Sequence, residues 1–273
     1  IQLEIKRIDE KIIFNFKGSS QRLESNFNTP LPVVKASIMF ALRCLIPENI
    51  PLNDGILKCI QIEIPDDCFL NPSKNDAVVA GNVETSQCIC DLVFHCLGVK
   101  ANSQGTMNNL SFGDENHQYY ETLGGGSGAS LRANGASAVQ VNMTNSLLTD
   151  PEVLESTYPV RLEQMSLREG SGGKGIFSGG DGLIRKIRFL KPMEISMISQ
   201  FRKIPPEGLN GGERAHRGVN ILEKDDELQL LDESFQQKVN ADEILTIETP
   251  GGGGFSTPVE NELELVFCFG SNL

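Results

Sequence analysis

The sequence predicts an α+β fold that is β-rich, with mixed and antiparallel sheets. Two main helices belong to its N-terminal half and an antiparallel β region to its C-terminus. Three observations lead there. Only two runs, 33–46 and 83–97, carry apolar residues over a helical length. From residue 159 onward, short apolar runs alternate with turns rich in Gly, Pro and charge. Between them, 105–150 is poor in charge, rich in Gly, Asn, Ser and Thr, and lacks any long apolar period. The expected division is 1–158, an α+β half that includes the 105–150 loop region, and 159–273, the antiparallel region.

In order along the chain, Ile1, Leu3 and Ile5, then Ile12, Phe14 and Phe16, alternate as in two strands joined near Asp9 and Glu10. Pro32 can open the first helix and Pro47 cannot continue it. Its run, VVKASIMFALRCLI, is apolar almost all round, which reads as a buried helix. A strand is expected over 57–64, ending at Pro65. Asn82 is placed to cap the second helix and Gly98 to follow its end. Its apolar stripe is Val83, Ile89, Leu92, Val93 and Cys96. One or two helical turns fit 150–158. Strands are expected at 160–168, 183–190, 194–200, 219–223, 228–232 and 243–249.

The chain has 273 residues, 39% hydrophobic, enough for a sizeable core. A formal net charge of −12 argues against nucleic acid and anionic membrane surfaces as partners. No apolar run reaches membrane-spanning length. The opening IQLEIKRIDE has no signal-peptide core and no initiator Met, which suggests a piece of a longer protein. Seven cysteines, at 44, 59, 68, 88, 90, 96 and 268, show no disulfide-scaffold spacing. They read as free buried thiols in a reducing, cytoplasmic compartment.

Few motifs point to metal or nucleophilic chemistry. Cys88 and Cys90 are two apart on a helix and point to nearly opposite sides. His95 lies two turns on from Cys88, about 10 Å along the axis. No metal site is assigned. The glycine runs LGGGSGA at 123–129 and GGGGF at 251–255 lack the Gly-Lys-Ser/Thr ending of a phosphate loop. The second reads as a tight backbone turn. No nucleophile elbow occurs. Glu84 falls in the first turn of the second helix, where the helix dipole accounts for it.

Glu121 has no such explanation and is the better candidate for a pocket carboxylate. Around it, Gly124, Gly125 and Gly126 permit close backbone approach and positive φ. Asn108, Asn109, Asn142 and Asn145 supply uncharged donors and acceptors. These are the components of a pocket for a small polar ligand. A long surface loop stiffened by its own turns is the alternative. The pocket reading expects the 119–126 and 142–145 turns to meet, with Glu121 in reach of Asn142 or Asn145.

Seven phrases occur in order: GNVETSQ at 81–87, SQGTMNN at 103–109, YYETLGGGSGA at 119–129, NGASAVQVNMTNS at 134–146, LTDPEVLESTYPVRLE at 148–163, SGGKGIFSGGDGLIRKIRFL at 171–190 and ETPGGGGF at 248–255. Together they resemble the hydantoinase B/oxoprolinase family, in particular the C-terminal half of its hydantoinase B region. The resemblance implies ATP-dependent hydrolysis of cyclic amides of the 5-oxoproline or hydantoin type. ATP and Mg²⁺ would be bound by a hydantoinase A-like partner region, fused or separate, within a homo- or hetero-oligomer. The family's metal-associated His and Asp phrases lie in the preceding half and are not found here. The chain by itself is then expected to be an inactive fragment that binds no cofactor.

Of the residues singled out above, Glu121, Asn142 and Asn145 take the catalytic positions. Asn108, Asn109, Gly124, Gly125, Gly126 and Thr144 take the substrate-binding ones. The family phrase usually reads His-Met-Thr-Asn where this chain has Asn142-Met143-Thr144-Asn145. That change leaves two alternatives open. One is a degenerate, non-catalytic interaction module. The other is a subunit of the N-methylhydantoinase or acetone carboxylase type.

Overall fold

The computed structural model describes residues 1–256 apart from 49, 52 and 226. Residues 257–273, with Cys268 and the end of the expected C-terminal region, lie outside the described residues. Among the described residues, three α-helices and twelve strands form an α+β fold.

The N-terminal layer begins with a hairpin, β1 (Glu4–Ile8) and β2 (Lys11–Asn15), turned at Asp9 with φ 52°. Strand β3 (Ile60–Glu63) pairs parallel to β2, Ile12 opposite Ile60. The first half of the strand expected at 57–64 is instead a 3₁₀ turn, Ile56–Cys59. Helix α1 (Leu31–Leu45) starts two residues before the expected position, with Pro32 in its first turn. There the missing N–H breaks no helical bond. Its Val34, Ile38 and Ala41 pack with Ile89, Cys90 and Val93 of α2 (Ser86–Cys96) and with Phe14 of β2.

Asn82 does not cap α2. The helix is entered through a π-helical turn, Gly81–Thr85, with no side-chain cap. Glu84, within that turn, is buried. Helix α3 (Pro151–Thr157) is capped by Asp150, whose Oδ1 accepts from the Glu152 and Val153 amides at 2.9 and 3.4 Å.

The 105–150 stretch is not all loop. It contains a hairpin, β4 (Asn109–Gly113) and β5 (Gln118–Thr122). The later strands are β6 (Val160–Arg168), β7 (Gly182–Phe189), β8 (Met193–Ile198), β9 (Val219–Lys224), β10 (Glu227–Leu231), β11 (Ser234–Val239) and β12 (Ile244–Glu248). All six strands expected here are present, and β11 is an additional one. They build a five-stranded sheet, β10-β9-β12-β7-β6, and a four-stranded sheet, β11-β8-β4-β5, antiparallel throughout.

The two sheets share one core. Leu110 and Phe112 of β4 and Ile195 of β8 meet Ile187 and Phe189 of β7 and Leu245 of β12. Burial of each such side chain contributes about 1.5–3 kcal/mol.

The 250–255 segment is extended, not a turn. Successive residues bond to different chain segments. The amides of Gly251, Gly252, Gly253 and Gly254 donate to the carbonyls of His216, Gly180, Asn102 and Glu213, at 3.2, 2.9, 2.8 and 2.9 Å. Its carbonyls accept from Gly126, Gly173, Ala129 and Leu209. Backbones approach so closely that a Cβ on Gly252 would stand 2.0 Å from the Ser127 carbonyl oxygen. This seam ties the loops around the sandwich to one another. It explains the glycine runs by proximity, not by positive φ: Gly124, Gly125 and Gly126 are not in the left-handed region. The cysteines also differ from expectation, since Cys44, Cys59 and Cys96 are free and exposed.

Candidate functional site

Helix α2 buries two faces. The apolar one meets α1. The other carries Glu84, from the π-turn, then Gln87, Cys88 and Asp91, at spacings that stack them along one side. This polar face is enclosed by loops from 102–109, 141–144 and 199–202.

Glu84 is 0% exposed. Its Oε1 accepts from the Asn109 side-chain amide at 2.7 Å and the Met107 backbone amide at 3.1 Å. Its Oε2 accepts from Gln200 Nε2 at 3.3 Å. Burial disfavours the charged carboxylate and pushes its pKa up to about 8, against the pull of these hydrogen bonds and of Arg202. Burial likewise lowers Arg202 to about 10. That guanidinium donates to Asn108 Oδ1 at 2.7 Å, to the Gln200 carbonyl at 2.9 Å and to Asn220 Oδ1 at 3.0 and 3.2 Å.

Asp91, 1% exposed, accepts from the Ser103 amide and from Asn142 Nδ2, each at 3.1 Å. Desolvation raises its pKa as well, with Lys100 opposing. Cys88 lies between the two carboxyls, and burial pushes its thiol up to about 12, which disfavours the thiolate.

Three non-glycine residues here hold left-handed backbone: Asn108, Asn142 and Phe201, at φ 48°, 52° and 60°. Asn tolerates this conformation; a bulky Phe is held there only by its surroundings. The Phe201 ring covers Gly105, where a Cβ would stand 2.2 Å from the ring and where φ is 64°. Thr85, Cys88, Asp91, Asn102, Gln200 and Phe201 line one cavity of about 370 Å³. That is the size of a small-ligand pocket. A groove of about 960 Å³ runs over β4, β8 and β11, past Ser111, Tyr120 and Ser196. It is larger but has no buried carboxyl pair, so the chemistry points to the smaller cavity. From that groove Tyr120 reaches the α2 network, its hydroxyl donating to Asn109 Oδ1 at 2.7 Å.

The residues singled out on sequence separate into two groups. Asn108, Asn109, Asn142 and Thr144 join the α2 network. Thr144 accepts from Gln87 Nε2 at 2.8 Å, and Asn142 Nδ2 also donates to the Gln87 carbonyl at 3.1 Å. The others do not. Gly124, Gly125 and Gly126 are buried beneath neighbouring backbone. Asn145 is exposed. Glu121 points into the sandwich, where Arg185 and Tyr119 take up its carboxylate. The 119–126 segment meets the residues just before the 142–145 turn, since Gly125 pairs with Val139 and Gln140 donates to Thr122, whereas Asn142 and Thr144 bond to Gln87 and Asp91 of α2. Glu121 nevertheless bonds neither Asn142 nor Asn145.

Sequence reading missed Gln87, Asp91, Gln200 and Arg202, and gave Glu84 a dipole role only. The available signal was the Glu84, Gln87, Cys88 and Asp91 spacing on a helix that was otherwise apolar. Among the described residues, no cluster of three His, Cys, Asp or Glu side chains could hold a metal. No helix among them is long and apolar enough to cross a membrane.

A β-sandwich flanked by a helix with an amide-rich, carboxyl-bearing inner face belongs to a recognisable class. Residues 1–258 match the Hydantoinase B/oxoprolinase family model, and the chain belongs to that family. The particular relative of highest interest is 5-oxoprolinase 1 of Arabidopsis thaliana, 48% identical over 247 residues. The match covers 90% of this chain and 20% of the plant protein, so the chain spans about a fifth of that relative's length. Among solved structures, the ATP-dependent caprolactamase of Pseudomonas jessenii superposes with TM-score 0.81 at 20% identity. It covers 96% of this chain and 49% of the caprolactamase chain. An acetone carboxylase superposes with TM-score 0.79 at 17% identity, over 95% of this chain and 41% of the carboxylase chain. At those identities the likeness concerns the fold.

Proposed function

We propose that this chain is the C-terminal segment of the hydantoinase B region of an ATP-dependent cyclic amide hydrolase that opens 5-oxoproline to glutamate. The observation that carries the site assignment is the pair of wholly buried carboxyls, Glu84 and Asp91, on one face of α2 beside one cavity. The similarity to 5-oxoprolinase supports the substrate class.

A lactam is a poor electrophile, and phosphorylation of its oxygen by ATP makes its carbon open to attack. Neither glycine run among the described residues is free to hold the phosphates of ATP. The amides of both glycine runs that would cradle phosphate are committed: Gly251 to Gly254 as described, and Gly125 and Gly126 to the carbonyls of Val139 and Pro250. Nucleotide binding therefore falls to a hydantoinase A-like partner region. The work left for this segment is to hold the ring and manage a proton. Asp91 lines the cavity, and burial favours its protonated form. It is the group placed to give a proton to the departing nitrogen. Glu84 acts behind it, holding Gln200 in place at the cavity wall.

In the complete enzyme with its partner region, Asp91→Asn is expected to lower ATP-dependent glutamate formation about 100-fold. Turnover equal to the parent enzyme would overturn the assignment. The chain alone is expected neither to hydrolyse ATP nor to open 5-oxoproline.

A further inference from the structure

Asp91 does not stand alone at the cavity wall. Its Oδ2 accepts from the backbone amide of Ser103 at 3.1 Å, and the Ser103 side chain bonds it as well. Ser103 is 0% exposed. Its Oγ accepts twice, from Lys100 Nζ at 2.8 Å and from the Gly128 amide at 3.1 Å. Both lone pairs of the hydroxyl are then taken, so its hydrogen is left to donate, and Asp91 receives it. A chain of hydrogen bonds therefore runs from the Lys100 ammonium through Ser103 to Asp91.

The fold fixes the position of that ammonium. Gly98, at φ 70°, turns the chain back at the end of α2, and Lys100 follows. Its Nζ stands 5.6 Å from the centroid of the Phe94 ring on one side and meets Ser103 on the other. The remaining titratable groups near Asp91 leave Lys100 as the cation that acts on it. Cys88 and Cys90 flank it on α2, and burial raises both thiols, which keeps them protonated. Glu84 lies further back along the same face, opposed by Arg202. The Ile1 amino group acts on Cys88, and Lys100 acts also on Cys44 of α1.

A buried carboxylic acid keeps its proton well but releases it poorly, because release leaves a charge away from water. We propose that Lys100, acting through Ser103, is the positioning residue that makes Asp91 a usable acid: it orients the carboxyl and stabilises the carboxylate left behind. The assignment rests on the reading of Asp91 as proton donor to the departing nitrogen. As the C–N bond breaks, its electron pair goes to nitrogen and takes the Asp91 proton. The water that adds hydroxyl to the carbon returns a proton to Asp91. Between those two transfers Asp91 is an anion. That is when hydrogen bonds from the Ser103 amide and hydroxyl, backed by the Lys100 charge, are strongest, so they assist the chemical step more than binding.

The test is turnover against pH in the complete enzyme with its partner region. A general acid must be protonated, so turnover falls as pH rises through its pKa. Removing the cation tightens the hold of Asp91 on its proton. Lys100→Met should move the falling limb up by about one pH unit. Turnover on the plateau should drop ~3-fold, since a weaker acid transfers its proton more slowly. Lys100→Gln is the second variant, should Lys100→Met fail to fold, and has the same expected outcome. Lys100→Arg keeps the charge and should keep the parent limb. A loss of stability alone lowers the amount of folded enzyme and moves no limb. If Asp91→Asn removes the limb but Lys100→Met and Lys100→Gln leave it in place, the role of Lys100 is overturned and Asp91 remains the acid. Equal movement in Lys100→Arg overturns it too. A limb that persists in Asp91→Asn overturns the reading of Asp91 as proton donor, and this assignment with it.

Discussion

Arg185 and Glu121 form an ion pair sealed inside the β-sandwich, Nε to Oε1 at 2.7 Å and Nη2 to Oε2 at 3.0 Å. Their side chains are 0% and 3% exposed. Tyr119 adds a third hydrogen bond to the carboxylate, at 2.8 Å. The pair crosses from one sheet to the other, β5 to β7, through the shared core.

Glu121 is therefore a residue of the fold, where sequence reasoning had put it in the pocket. Glu121→Ala leaves a guanidinium buried without its counter-charge, which costs about 3–5 kcal/mol. Urea denaturation of the chain should show that loss. Replacing both partners, with Glu121→Leu and Arg185→Met, should recover most of it. Turnover per folded molecule of the complete enzyme should change little in either case.

Glu84 makes stability depend on pH. Its ordinary value is 4.5, and burial raises it to about 8 in the folded chain. Between those values the folded state holds a proton that the unfolded state has released. Stability is then fully present below about pH 4.5 and falls as pH rises toward 8, by up to ~1.4 kcal/mol per pH unit. Asp91 is shifted in the same direction and adds to the fall. Glu84→Gln should flatten the fall between pH 5 and 8, measured as denaturation midpoint against pH. A midpoint profile that keeps the parent slope would show that Glu84 is ionised in the folded chain.

The glycine seam should respond sharply to a single methyl group. Gly252→Ala places a carbon 2.0 Å from the Ser127 carbonyl oxygen, and its three nearest atoms are all backbone of Ser127 and Gly128, so no flexible side chain can move away. A loss of about 3 kcal/mol or more is expected, at the upper end of overpacking effects. Gly170→Ala is the control. Its φ is 75° but nothing lies within 4 Å of the added carbon, so only left-handed strain of ~1–2 kcal/mol applies. Thermal unfolding of the two variants separates close approach from conformational strain.

Strands β7 and β8 were legible because their apolar residues alternate against the core, as in the Leu183, Ile187 and Phe189 pattern of β7. Strands β6 and β10 were legible because their apolar residues stand out between turns, although Met165, Leu167, Leu228 and Leu230 are exposed. Strand β11 was not, since Ser234–Val239 has only Phe235 and Val239 to mark it. The β4–β5 hairpin hid behind its polar neighbours, although Leu110 and Phe112 do alternate. The polar face of α2 was the larger omission. A buried carboxyl is specified by partners that sequence proximity does not show: Gln200 is 116 residues from Glu84, and Arg202 is 94 from Asn108. Periodicity reports which residues leave water together only when they are apolar.

The seam at 250–255 also sets an order of events. Among the described residues, the segments it fastens precede it: Asn102, the 126–129 run, 173–180 and 209–216. A nascent chain lengthens from its N-terminus, so these loops leave the ribosome before their fastener exists. Strand β12, which joins β9 to β7 in the five-stranded sheet, ends only two residues before the seam, so that sheet and the loops around it are completed together. Closure is then a late step with a long loop to draw in, and such steps are slow. Until it happens, the half-made protein shows unpaired backbone to the cell, and that interval is when a chaperone would have most to hold.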